Sequence, residues 1–342
     1  MRESMLGIIN ATENFPSLQQ VTNHRSLAVL PFGGRYRLID FMLSNMVNSH
    51  IHSVAIFTSH KNRSLMDHLG SGKQWDLDRK RDGLFLFPPN CQCAQDEFGS
   101  FAHFSRHIDY FLRSKQEYVV ITNSHVVTAL DFQAVLEHHL YTNAHITEVC
   151  HRGKSLQTYV LKKELLLQLF ETYQDMGYYS LLDIVKEKRN TSLRMESYEH
   201  TGYVAVIDSI ESYYKHSLEI LQPHIWKQVF QKEAPIFTKV KDEPPTRYGK
   251  EANVHNAMIA NGSIIEGEVE NSVVFRSVKI GKGSIVRNSI IMQKGQIGEN
   301  CILDGVILDK DVKIEDGTIL TGSSDPFVVE KGKTQSSNVT IQ

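Results

Sequence analysis

The stretch Pro31–Asn45, PFGGRYRLIDFMLSN, holds the residues of this chain best suited to bind a charged ligand. A Gly-Gly pair accepts positive φ and lets backbone come close to a bound group. Arg35 and Arg37 follow it, and guanidinium groups pair well with phosphate oxygens. A turn followed by solvated arginines has the same pattern, so these residues alone leave both readings open. The other reactive side chains are more scattered. Cys91, Cys93, Cys150 and Cys301 are too few for a disulfide framework in a chain of 342 residues. Cys91 and Cys93 lack a second pair at zinc-ligand spacing and read as reduced loop thiols. None of the 16 histidines falls in an H-E-x-x-H or similar pair, so no metal site is expected.

Positioning such residues requires a fold, and composition bounds it. Apolar residues make up 41% and the net charge is −2, which suits a soluble globular protein of two domains. It gives no electrostatic reason to expect nucleic acid or an anionic membrane as partner. No apolar run is long enough to span a bilayer. The opening MRESMLGIIN lacks a cleavage signature and reads as a buried first strand. These features together predict a cytoplasmic protein.

Two patterns succeed each other along the chain. Ser53–Thr58 and Tyr118–Thr122 are β-branched, strand-like runs, while Tyr36–Ser49, Ser105–Lys115 and Lys162–Tyr173 have helical spacing. This alternation predicts an α/β domain whose mostly parallel sheet is covered on both faces. Near Glu243–Pro245 the helical period ends. From Ile259 a period close to six replaces it, with Val274, Ile280, Val286 and Met292 in one run and Ile302, Leu308, Ile314 and Leu320 in another. The register slips between them, through Ile297. Six-residue aliphatic spacing with glycine and polar residues between predicts a parallel β-helix whose aliphatic residues point inward. The expected boundaries are 1–240 for the α/β domain, 241–254 for a linker, 255–330 for the β-helix and 331–342 for a frayed tail. The exposed ends of such a coil need covering, so it is expected to drive assembly, and deletion after Asn253 to abolish it.

PFGGRYRLIDFMLSN, continued by Val47–Ile51, closely resembles a signature of the ADP-glucose pyrophosphorylase (glucose-1-phosphate adenylyltransferase) family. Thr58–Trp75, Glu211–Leu221 and Pro244–Thr246 are similar to that family as well, so the resemblance covers nearly the whole chain. It implies a Rossmann-like nucleotidyltransferase domain followed by a left-handed β-helix. Only near His151–Gln157 is the chain short beside the family's pattern.

Several expected catalytic features are missing. Active members cradle nucleotide phosphates in a Gly-rich loop after the first strand, followed by an arginine. Here Asn10–Leu18, NATENFPSL, has neither glycine nor a basic residue, and Glu13 would repel a triphosphate. The magnesium-binding aspartate of a Gly-Asp-His motif is matched by Ser124 in TNSH. A second metal aspartate is matched by Val206, and the carboxylate of a G-T-A-D motif by Ala102. The sugar-phosphate lysine of an F-x-E-K-P motif has no clear counterpart. Nucleotidyl transfer depends on metal charge and on positioning, so no catalytic residues, no metal and no cofactor are expected. Magnesium would be needed only if the site had been rebuilt, for which Asp40, Asp131 and Asp183 are the candidates.

This pattern is similar to a branch of the family whose members accompany a catalytic subunit in certain bacteria. The resemblance therefore implies a heterotetramer with a catalytic ADP-glucose pyrophosphorylase subunit, modulating ADP-glucose supply for glycogen. It also implies a phosphorylated-metabolite effector bound between the domains, with Arg25, Arg37 and Arg276 as candidate ligands and Leu27 replacing a lysine. An acyltransferase role, common among hexapeptide coils, would call for a histidine near a rung, and Ile264–Leu320 contains none.

Overall fold

A computed structural model describes residues 4–89, 98–176, 179–187, 192–322 and 325–340. Cys91 and Cys93 lie outside the described residues.

The first strand, Met5–Ala11, is wholly buried and sits near the middle of a seven-stranded sheet. The sheet order is Met195–Glu199, Ile146–His151, Lys154–Lys162, Tyr118–Asn123, Met5–Ala11, Ser53–Thr58 and Gly83–Phe87. Only Lys154–Lys162 runs antiparallel to its neighbours; the remaining pairings are parallel. Period-two alternation sends side chains to two cores. Met5 and Ile9 face one core with Ile39, Met42 and Met46 of the helix Leu38–Asn48. Leu6 and Ile8 face the other with Phe101, Phe104, Phe111 and Phe170. Gly7 lies under the first core's helix, and a Cβ there would come within 2.6 Å of Met46 Sδ. Near His151–Gln157 the chain closes a hairpin through Arg152 and Gly153, both at positive φ. Two residues in that conformation suffice to connect antiparallel strands, which accounts for the short segment.

The C-terminal part is a parallel β-helix of three sheets. Its strands repeat at 17 residues through the middle coils, as in the register Ile285, Ile302, Ile319. Three rungs of six would need one residue more, so a strict period of six overshoots within a coil. That corrects two sequence expectations. Met292 faces the α/β domain rather than the coil interior, and Ile302 faces outward at 41% exposure. The inward places next to them belong to Ile291 and Leu303. Corners are turned by residues at positive φ, such as Asn271, Asn288 and Gly305, types that tolerate the left-handed region.

The boundaries also shift. Arg247–Tyr248 and Asn253–His255 already pair with coil strands, so the coil begins inside the expected linker. Thr334–Gln335 and Val339–Thr340 pair at the far end, so the tail does not fray but adds the last strands. Polar composition misled here because strands at the end of a coil are stabilised by backbone pairing to the turn below.

The domains meet along an apolar seam. On one coil sheet the outward residues Val273, Ile290 and Ile307 are fully buried. They pack with Leu18, Val21, Tyr213 and Ile220 of the α/β domain. The Tyr214 hydroxyl donates to Asn288 O at 2.5 Å across the seam.

Candidate functional site

In open α/β sheets ligands bind beyond the carboxyl ends of the strands. Here that region follows Met5–Ala11 and Tyr118–Asn123. Asn123 ends its strand by accepting through Oδ1 from the backbone N–H groups of His125 and Val126, each at 3.2 Å. This tight turn buries Ser124 and turns His125 toward the loop after the first strand. Glu13 meets it there, with Oε2 2.6 Å from His125 Nδ1. Phe15 adds an edge-on ring contact to His125 at 5.1 Å. The loop that would otherwise cradle phosphates is thus held across the strand ends by a carboxylate–imidazole pair and an aromatic contact.

Beside this plug lies a cleft of about 370 Å³, lined among others by His125, Glu148, Tyr159, Lys186, Val206 and Asp208. Val206 enters it from a short strand paired antiparallel to Val126–Thr128. Glu148 is buried and accepts from the Tyr159 hydroxyl at 3.3 Å, whose pKa burial pushes up, so it remains a donor. Ser124 and Ala102 are not among the lining residues. Magnesium wants several hard oxygen ligands in near-octahedral array. The two matched positions supply a buried hydroxyl and an isopropyl group. Among the described residues no group of three or more His, Cys, Asp or Glu could hold a metal ion. The residues present therefore do not fit the ion that catalytic members need.

The three aspartates named for a rebuilt site are engaged elsewhere. Asp40 is buried, accepts from the Arg37 backbone N–H at 3.0 Å and pairs with His68 at 2.6 Å. Asp131 caps the helix Phe132–Thr142 by accepting from Gln133 N–H at 2.9 Å. Asp183 closes a capping box with Ser180. None of them lines the cleft.

The candidate arginines lie at the seam between the domains, in different settings. Arg25 is 3% exposed, and its Nη2 makes two bonds to Asp309, at 2.6 and 2.8 Å. Its Nη1 lies 3.5 Å from Met292 Sδ. Arg25 is therefore a structural clamp between the domains rather than an unpaired ligand. Arg37 donates to Val29 O at 3.2 Å. Burial lowers its pKa to about 10, with Arg25 and Arg276 contributing in the same direction. Arg276 is half-buried and lines a second interdomain cleft of about 580 Å³, together with the Gly33–Gly34 turn, Trp226 and Lys241. Leu27, in place of the family's lysine, is buried in the seam core.

Two residues that matter here were not foreseen, Asp309 and Lys310. The ammonium of Lys310 is pushed down to about 7 by burial first, then by Arg37 and Arg25, with Asp309 opposing. A charged Asp-Lys pair directly after the buried run Val306–Leu308 was the available signal. It was missed because the partners of Asp309 lie 284 residues away. Arg25, Arg37, Arg276 and Lys310 thus concentrate positive charge at the seam against Asp309, Asp40 and Glu243, and the excess of cations favours an anion.

Comparison with known proteins agrees with this architecture. Residues 17–159 match the nucleotidyl transferase family, and residues 243–325 the GlmU-like C-terminal hexapeptide family. The chain is 54% identical to the glycogen biosynthesis protein GlgD of Bacillus subtilis, over 97% of each chain. It is 55% identical to GlgD of Geobacillus stearothermophilus over 84% of each. Glucose-1-phosphate adenylyltransferase of Mycoplasma mobile is 28% identical over 84% of this chain and 85% of its own. At such identity and coverage, the chain belongs to the GlgD family of glycogen biosynthesis proteins, built on a nucleotidyl transferase domain and a hexapeptide β-helix.

Proposed function

We propose that this chain is a non-catalytic subunit that associates with a catalytic glucose-1-phosphate adenylyltransferase and modulates ADP-glucose supply for glycogen synthesis. The observation that carries the reading is the state of the strand ends. Glu13 pairs with His125 in the loop after the first strand, and Ser124 and Val206 are the residues that the family resemblance sets against metal carboxylates. Phosphoryl-type chemistry without metal charge or a phosphate cradle loses its main sources of transition-state stabilisation. The relatives named for glycogen biosynthesis and for adenylyl transfer support the choice of pathway and of partner. In this reading the positive seam around Arg37, Lys310 and Arg276 receives a phosphorylated effector. Whatever binds there touches both domains and so biases how they sit together.

Calorimetric titration with magnesium and ATP tests the catalytic half of the reading. No heat of binding is expected at millimolar nucleotide. Magnesium-dependent ATP binding at micromolar affinity would contradict it. Titration with a sugar bisphosphate tests the effector half: binding is expected, and substitution Lys310→Ala together with Arg37→Ala is expected to abolish it.

A further inference from the structure

Among the described residues the β-helix carries two outward aliphatic ladders, of which the α/β domain covers one. Val273, Ile290 and Ile307 form the first, one per coil in register, and the α/β domain buries it completely. The second lies on a different sheet, where Ile285, Ile302 and Ile319 are register partners on successive coils. Ile285 is half-buried, while Ile302 and Ile319 are 41% and 36% exposed. On the third sheet the corresponding outward column is Lys279, Gln296 and Lys313, the polar composition expected of a face in water. Three β-branched side chains stacked at the strand spacing of about 4.8 Å make a continuous apolar strip. The covered ladder shows what such a strip does in this coil: it docks another folded surface.

The charges around the strip decide which surface. Asp304 stands beside Ile302 on the same strand, and Arg287, the cation beside Ile285, is already bonded to Glu268 at 2.7 Å and paired with Glu270 at 3.2 Å. The corners leading into Ile285, Ile302 and Ile319 carry the exposed residues Lys282, Glu299 and Asp316, so carboxylates outnumber unpaired cations around the strip. A rim in which carboxylates predominate, opposed to its own copy, would set more like charges than opposite ones together, which is costly. We propose that the Ile285–Ile302–Ile319 strip is the docking face for a different chain, the adenylyltransferase subunit, through an apolar patch rimmed by Lys or Arg. This rests on the reading of the chain as a partner subunit.

The test is co-purification and Kd measurement, using the full-length chain and the adenylyltransferase subunit of the same cell. The variants are Ile302→Asp/Ile319→Asp and the milder, shape-conserving Ile302→Thr/Ile319→Thr. Circular dichroism and sugar bisphosphate binding serve as folding checks. The carboxylate pair is expected to weaken binding at least about 100-fold, and the threonine pair about tenfold, with both variants folded. If the wild type binds and the folded variants bind equally well, the strip is wrong and the partner reading stands. If the wild type does not bind the adenylyltransferase at all, the partner reading fails and this proposal with it. If the wild type alone forms homo-oligomers that the substitutions disperse, the occupant is a second copy and the choice made here is overturned.

Discussion

Replacing Asp309 by alanine should destabilise the protein far more than any surface substitution. Asp309 is 1% exposed and Arg25 3%, and two bonds of 2.6 and 2.8 Å join them. The substitution leaves a guanidinium buried between two domains without its anion. Breaking one side of a buried pair costs roughly 3–5 kcal/mol. The Coulomb attraction at an effective dielectric of 20 and about 4 Å is of the same order, about 4 kcal/mol. Spread over a protein of this size, that loss lowers Tm by about 5 °C. Urea titration reads it: tryptophan fluorescence follows the α/β domain through buried Trp75, and far-ultraviolet dichroism follows both domains. Because the pair crosses the seam, the two probes should separate in the variant. Exposed Glu137, on the helix Phe132–Thr142, provides the control, and Glu137→Ala should stay within about 0.5 kcal/mol of wild type. The double change Arg25→Met/Asp309→Leu removes both charges and should recover most of the loss. An Asp309→Ala variant within about 1 kcal/mol of wild type would refute the clamp, as would a double variant no better than the single one.

The coil register gives a sharp contrast between adjacent residues: Leu303→Ala should cost roughly 2–5 kcal/mol and Ile302→Ala less than about 1, by denaturant titration. Gly281→Ala should also destabilise, by roughly 1–3 kcal/mol, since its Cβ would lie 2.3 Å from the carbonyl oxygen of Gly298, which is backbone and cannot swing away. Anion binding at the seam should depend on pH. The pKa of Lys310 is lowered to about 7 in the folded protein, so the ammonium is present below that pH and lost above it. Sulfate, whose own charge is constant, should therefore bind more tightly at pH 6 than at pH 8.5, and Lys310→Met should flatten the profile. Restoring one carboxylate by Ser124→Asp should not produce magnesium-dependent turnover, since Val206 and the Glu13–His125 plug remain; an ADP-glucose assay on the variant decides it.

How far the sequence could be read depended on the range of the interaction. Alternating strands and helices, and the coil that follows, rest on local periodicity, and Ser53–Thr58 and Tyr118–Asn123 form where β-branched runs stand. The coil's phase was legible only in part. A 17-residue turn looks like six-residue spacing for about one coil and then drifts, which placed Met292 and Ile302 on the wrong side. The coil's ends were misplaced because Arg247–Tyr248 and Val339–Thr340 are held by backbone pairing to the next coil, not by an aliphatic signal of their own. At the site, the absence of glycines and carboxylates was visible residue by residue. What replaced them was not, because Glu13 and His125 are 112 positions apart and Arg25 and Asp309 284. Arg25 looked like a free phosphate ligand for that reason.

The central claim, that this subunit does no chemistry itself and acts through a catalytic partner, is tested most directly by ADP-glucose formation from ATP, glucose 1-phosphate and magnesium. The assay compares this chain alone, the adenylyltransferase subunit alone, and the two mixed. The account predicts no turnover by this chain and a changed rate or effector response in the mixture. Magnesium-dependent turnover by the chain alone, or a mixture that behaves as the simple sum of its parts, would contradict it.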